Sequence, residues 1–227
     1  MCARKYNIIY ADPPWNGLGW NNGSGKKCPA NHYAVQDVAW IKSLPVSELA
    51  ADTSALFLWV TFPNLIDGLA VMQSWGFKYA TCAFTWVKRN RCSDGWFLGC
   101  GNYTRANSEL CLLGTRGKCQ SLRKSRSVRQ ICDSKVGKHS EKPAEIRDRI
   151  VQLFGDLPRV ELFARTITAG WDVWGNEVPC SIELGAQNTM ESGSTAYNRP
   201  SMPCSECPVF YRCADGKINP CPYPSII

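Results

Sequence analysis

Tyr6-Asn7-Ile8-Ile9-Tyr10-Ala11-Asp12-Pro13-Pro14-Trp15 is the stretch on which the reading of this chain turns. Its first six residues are rich in β-branched and aromatic side chains and are stopped by two prolines, which predicts a buried strand over residues 6–11. At the carboxyl end of a strand in an open α/β sheet the chain faces a ligand crevice. The sequence therefore delivers a carboxylate, a stiffly held carbonyl and a large aromatic face to one binding place. Proline lacks an N–H and has a fixed φ, so Pro13 and Pro14 leave the strand ladder and hold the turn.

This set suits chemistry on the exocyclic amine of a flat aromatic substrate such as adenine. The lone pair of that amine is delocalised into the ring, which makes it a poor nucleophile. A carboxylate accepting one amine hydrogen and a carbonyl accepting the other would localise the lone pair and aim it at an electrophilic methyl group. Asp12 supplies the first acceptor and the Pro13 carbonyl the second. Trp15 can stack on a base drawn out of its helix, as enzymes working on nucleobases require.

Composition is compatible with this reading. The chain has 227 residues, enough for one sizeable domain and an appendage, and 44% of them are hydrophobic. A formal charge of +7 makes a polyanionic partner plausible. No stretch is long and apolar enough to span a membrane, and the N-terminus, Met-Cys-Ala-Arg-Lys-Tyr, lacks the apolar core of a signal peptide. The 13 cysteines are odd in number and mostly scattered through regular segments, unlike a secreted disulfide framework. The expected setting is a reducing cytoplasm.

Alternating strands and helices predict a doubly wound α/β domain. Residues 16–30 read as a Gly-, Asn- and Lys-rich loop over the substrate, and His32 and Tyr33 precede a helix near 37–44. Residues 54–60 form a near-continuous apolar run, as in a parallel strand buried on both faces. Helical periodicity over 63–75 ends at Gly76, and a second helical face over 143–154 ends at Gly155. Further strands are expected at 79–87, 109–113, 128–132, 160–164 and 171–174. A basic run containing Arg116, Arg123, Lys124 and Arg126 reads either as a solvated loop or as a phosphate-contacting one. Lys88, Arg89 and Arg105 are further candidates for nucleic-acid contact.

Three units are expected: a domain over 1–180, a polar linker over 181–203 and a cysteine-rich tail over 204–227. The tail holds Cys204, Cys207, Cys213 and Cys221, a compact set of four thiols that suits tetrahedral zinc. An iron–sulfur cluster or free thiols in a disordered tail are the other readings.

These residues resemble a known family, the adenine-N6 methyltransferases typified by the catalytic subunit of the eukaryotic mRNA adenosine methyltransferase, with bacterial and phage members. Asp12-Pro13-Pro14-Trp15 is its signature. The likeness continues through Phe57-Leu58-Trp59-Val60, Trp86-Val87-Lys88, the Thr104–Leu112 block, His139–Ile146, Glu161–Arg165 and Gly170–Glu177. In order, these blocks cover roughly residues 6–178. The resemblance implies S-adenosylmethionine as methyl donor and a Rossmann-like methyltransferase fold. It assigns Asp12, Pro13, Pro14 and Trp15 to catalysis, and Asp12, Lys142, Arg165, Asn176 and Glu177 to the donor. Eleven residues precede Asp12, whereas the eukaryotic enzyme has an upstream segment that contacts the donor's adenine, so that contact is expected from elsewhere or not at all and the adenine pocket is left unassigned. The tail lies outside the likeness.

The expected function is therefore transfer of a methyl group to the N6 amine of adenine in DNA, with DNA as partner. RNA is the alternative substrate, and a non-catalytic nucleic-acid-binding subunit is a third reading that the intact signature opposes. A tail acting as a zinc module for protein contacts is the fourth.

Overall fold

A computed structural model describes residues 4–15, 37–99, 101, 103–137 and 141–185. The predicted loop over 16–30, His32, Tyr33, His139, Ser140 and the four tail cysteines lie outside the described residues.

Seven strands form one sheet: β1 (Tyr6–Ala11), β2 (Ala50–Val60), β3 (Lys78–Arg89), β4 (Ser108–Arg116), β5 (Ile131–Lys135), β6 (Arg159–Leu162) and β7 (Asp172–Trp174). Their order is β5-β3-β4-β2-β1-β6-β7. All run parallel except β4, which is antiparallel to both β2 and β3. The sheet is thus mixed, where alternation alone predicted a parallel one. Every residue from 54 to 60 is buried, as the apolar run required, but β2 pairs in parallel only with β1.

Residues alternate between the two faces of the sheet. Ile9, Ala11, Leu56, Leu58 and Val60 pack with α1 (Val38–Ser43), α2 (Val46–Leu49) and α3 (Leu65–Ser74). Ile8, Tyr10, Phe57 and Trp59 face the other way and meet Ile146, Ile150 and Phe154 of α4 (Glu145–Phe154). At about 25 cal/mol per Å² of apolar surface, these two layers are the main favourable term in folding. Gly76 and Gly155 both have positive φ, 80° and 84°, and turn the chain out of α3 and α4 as predicted.

Two boundaries differ from the sequence reading. The expected strand over 128–132 is displaced to β5, because Asp133 and Ser134 find partners on β3. Asp133 takes Arg89, and the Ser134 carbonyl accepts the Trp86 indole N–H at 3.3 Å. The domain also extends past residue 180: the Ser181 N–H bonds Val173 O at 2.9 Å, and Leu184 is 2% exposed in the α1–α3 layer. The six described residues Cys82, Cys92, Cys111, Cys119, Cys132 and Cys180 are free thiols. No helix among the described residues is long and apolar enough to cross a membrane.

Candidate active site

Face alternation places Asp12, two residues beyond Tyr10, on the α4 side at the carboxyl edge of the sheet. The Lys142 ammonium donates to Asp12 Oδ2 at 2.8 Å and lies 3.3 Å from Glu109 Oε2. Glu109 is in turn held by Lys88 at 2.5 Å. Carboxylate and ammonium therefore alternate along Asp12, Lys142, Glu109 and Lys88, a chain that begins in the cleft and ends on β3. Burial alone would raise the Glu109 carboxyl, but Lys142 and Lys88 outweigh it and hold it below the ordinary carboxylate range. Burial likewise works to lower the Lys142 pKa, and Asp12 with Glu109 overcomes it, leaving the ammonium firmly protonated.

An open cleft of about 200 Å³ lies beside this network, lined among others by Tyr10, Asp12, Lys142, Phe163, Arg165 and Glu177. On its far wall Arg147 grips Glu161 through two bonds of 2.7 and 2.6 Å. Phe163 carries a non-glycine φ of 62°, immediately after β6, and its ring meets Trp174 edge-on at 5.4 Å. That backbone is costly for a bulky residue and is sustained here by the aromatic packing.

The signature turn is rigid. The Trp15 N–H bonds the Pro13 carbonyl at 2.8 Å, using one of its two lone pairs and leaving the other. The Trp15 indole N–H donates to Trp59 O at 2.8 Å, and the residue is 7% exposed within the α1–α3 layer. The expected stacking wall is thus, in this structure, the anchor that pins the turn to β2. Its ring is committed to the core.

The predicted donor contacts fall into two groups. Arg165 and Glu177 line the cleft and stand 3.6 Å apart, while Asn176 is exposed just outside the lining. Gly175 lets this turn approach β6, since a Cβ there would sit 2.2 Å from Ala164 O. Lys142 also lines the cleft, with its side chain 8% exposed and paired with Asp12 and Glu109.

The basic candidates separate likewise. Arg105 is exposed in the 90–107 connection, at the same edge as Asp12. Lys88 is only partly exposed and is paired with Glu109. Arg116, at the far end of β4, donates to Ser47 O at 2.9 Å. Because β4 runs antiparallel, Arg116, Arg123, Lys124 and Arg126 emerge at the opposite edge of the sheet from Asp12. The intervening length of β2 is roughly 20 Å at about 3.3 Å per residue. Replacing Arg123, Lys124 and Arg126 together with alanine is accordingly expected to change KM for a short oligonucleotide by less than about twofold. A loss of tenfold or more in filter-binding or kinetic titration would return this loop to the interface.

Tyr10, Glu109, Arg147, Glu161 and Phe163 were not singled out from sequence. Period-two alternation marks Tyr10, and Glu109 and Glu161 stand inside blocks already noted. The φ of Phe163 has no sequence signal.

A mixed seven-stranded sheet with helices on both faces agrees with an α/β methyltransferase fold. The chain belongs to the MT-A70 family, whose pattern matches residues 6–177. It is similar to the type II methyltransferase M.MunI of a Mycoplasma species, 34% identical over 204 residues, covering 83% of this chain and 84% of that protein. It is 27% identical over 184 residues to the N6-methyladenosine RNA methyltransferase MTA1 of Pyricularia oryzae, covering 78% of this chain and 48% of that one. With the human N(6)-adenine-specific methyltransferase METTL4 it shares 28% over 206 residues, 84% of this chain and 41% of the human protein. The chain thus spans most of the first relative and less than half of the other two.

Proposed function

We propose that this protein transfers the methyl group of S-adenosylmethionine to the N6 amine of adenine in DNA. The observation that carries the reading is Asp12 at the carboxyl end of β1, held through Oδ2 by Lys142 with the Pro13 carbonyl beside it. Asp12 Oδ1 is left to accept one amine hydrogen, and the second lone pair of the Pro13 carbonyl accepts the other. Both acceptors are fixed before substrate arrives, so little reorganisation is needed as charge develops on nitrogen.

The cleft suits a donor that carries an ammonium, a carboxylate and ribose hydroxyls. Asp12, Glu161 and Glu177 offer acceptors, and Arg165 offers a planar set of donors. Bound there, S-adenosylmethionine supplies the activated methyl group. Arg165 and Glu177 hold its polar groups, and Phe163 covers an apolar part. The match to a type II methyltransferase over 84% of that protein's length favours DNA as the polymer.

The test is transfer of labelled methyl from S-adenosylmethionine to duplex DNA, single-stranded DNA and RNA of matched sequence. Label on N6 of adenine in DNA is the expected result. Preference for RNA overturns the polymer assignment, and no transfer to any of the three by folded, donor-binding protein overturns the activity.

We propose as well that Cys204, Cys207, Cys213 and Cys221 hold one zinc ion in a tail that follows the linker. Four thiolates with a tight first pair support this reading. Metal analysis of the purified chain is expected to give about one zinc per molecule. A metal-free protein, or the brown colour of an iron–sulfur cluster, refutes it.

A further inference from the structure

We propose that the outward face of Trp96 is a stacking platform for a nucleobase flanking the adenine that reacts; the inference rests on the nucleic-acid substrate proposed above. After β3 the chain folds back on itself. Arg89 and Trp96 form an antiparallel bridge, the Asn90 N–H bonds Gly95 O at 2.9 Å, and the Phe97 N–H bonds Lys88 O at 2.9 Å. This short return puts neighbouring side chains to opposite uses. Phe97 turns inward, its ring centroid 5.9 Å from the Lys88 ammonium. That ammonium is the last link of the chain running from Asp12 through Lys142 and Glu109. Trp96, one residue earlier, turns outward and is 46% exposed.

One face of the Trp96 indole is already filled. The Arg89 guanidinium carbon lies 3.5 Å from the ring centroid. Arg89 cannot readily leave, because it bonds Asp133 Oδ1 at 2.7 Å and Oδ2 at 2.6 Å and reaches Asp94 O at 3.2 Å. The sequence suggested Arg89 as a candidate for nucleic-acid contact; in the structure its guanidinium supports the Trp96 ring. A guanidinium clamped by a fork of two bonds is a rigid support, so the indole is oriented before any ligand arrives.

What remains is a flat π surface among cations. Arg91, Arg105 and Lys135 are exposed in the same edge region, and Lys135 is the register partner of Arg89 across β3 and β5. A pinned aromatic face with basic side chains around it is the combination that unstacked polynucleotide requires, the ring taking a base and the cations its phosphates. A base within an intact duplex cannot offer its face. The platform therefore implies that a step beside the target is opened along with the adenine.

The test starts from single-stranded 20-mers with adenine in randomised context, from which the best-methylated sequence is taken. Trp96→Ala is expected to raise KM for this strand about tenfold or more with kcat little changed, and Trp96→Phe to restore most of the loss. Abasic substitution at one flanking position should mimic the alanine variant in wild type and have no further effect in that variant. Strand binding by fluorescence anisotropy should follow KM, while melting temperature and binding of the demethylated donor stay at wild-type values. An unchanged KM and strand affinity in Trp96→Ala overturns the platform, as does full additivity with every abasic position. A change in oligomeric state without a change in KM assigns the face to protein contact and equally overturns it. Absence of methyl transfer by the wild type, by contrast, removes the proposed activity, and anisotropy alone then decides the platform.

Discussion

Asp12→Ala is expected to lower methyl transfer by about a hundredfold or more, the scale for losing one preorganised electrostatic group at the reacting centre. The substitution removes the carboxylate of the turn and one of the acidic partners of Lys142. Asp12→Asn should retain a little activity because its carbonyl still accepts a hydrogen bond. No general base is needed, since nitrogen loses its proton readily once the methyl group is attached. Initial rates with labelled donor, alongside a folding check by circular dichroism, decide the matter. Near-wild-type turnover in a folded alanine variant would sink the assignment of Asp12.

Lys142→Ala is expected to destabilise the protein by about 2–3 kcal/mol, because it removes the cation shared by Asp12 and Glu109 while Lys88 still holds Glu109. It should also lower kcat, since Asp12 loses the bond that fixes its orientation. The pH dependence distinguishes this from a general packing defect. The folded pKa of Glu109 is depressed, so its contribution is present above the ordinary carboxylate value and is lost as pH falls through the folded one. The folded pKa of Lys142 is raised, so its contribution is present below the ordinary lysine value and is lost as pH rises through the folded one. The stability gap between wild type and variant should thus be widest from about pH 4.3 to about pH 10.4 and narrow outside it. Urea unfolding across that range measures the gap. A gap that persists unchanged at pH 3 would show that the charge network is not its source.

Much of this site could be read from the chain because its parts are local. Asp12, Pro13 and the stop at Ala11 follow from one ten-residue stretch, and Gly76 and Gly155 announce the ends of α3 and α4. The partners of Lys142 were not readable in the same way. Asp12 is 130 positions away in sequence, and the ion pair exists only because α4 starts over the end of β1. The anchoring of Trp15 was hidden for a related reason. An aromatic after two prolines looks available for stacking until β2 supplies the Trp59 carbonyl that draws its indole inward. The basic run over 116–129 shows the same limit, since charge can be counted in sequence while the edge of the sheet it reaches depends on strand direction.

The direction of β4 also decides what this enzyme can alter. Because β3 leaves and β4 returns at one edge, residues 90–107 form a closed excursion whose two ends are already joined through strand pairing, from Val87 with Ser108 inward. Such an excursion can lengthen, shorten or change composition without shifting Asp12, Lys142 or Glu109, at an entropic cost that grows only slowly with its length. The reaction machinery and this excursion are thereby housed in separable parts of the chain. Exchanging residues 90–107 between relatives would change one while the residues around Asp12 are left untouched.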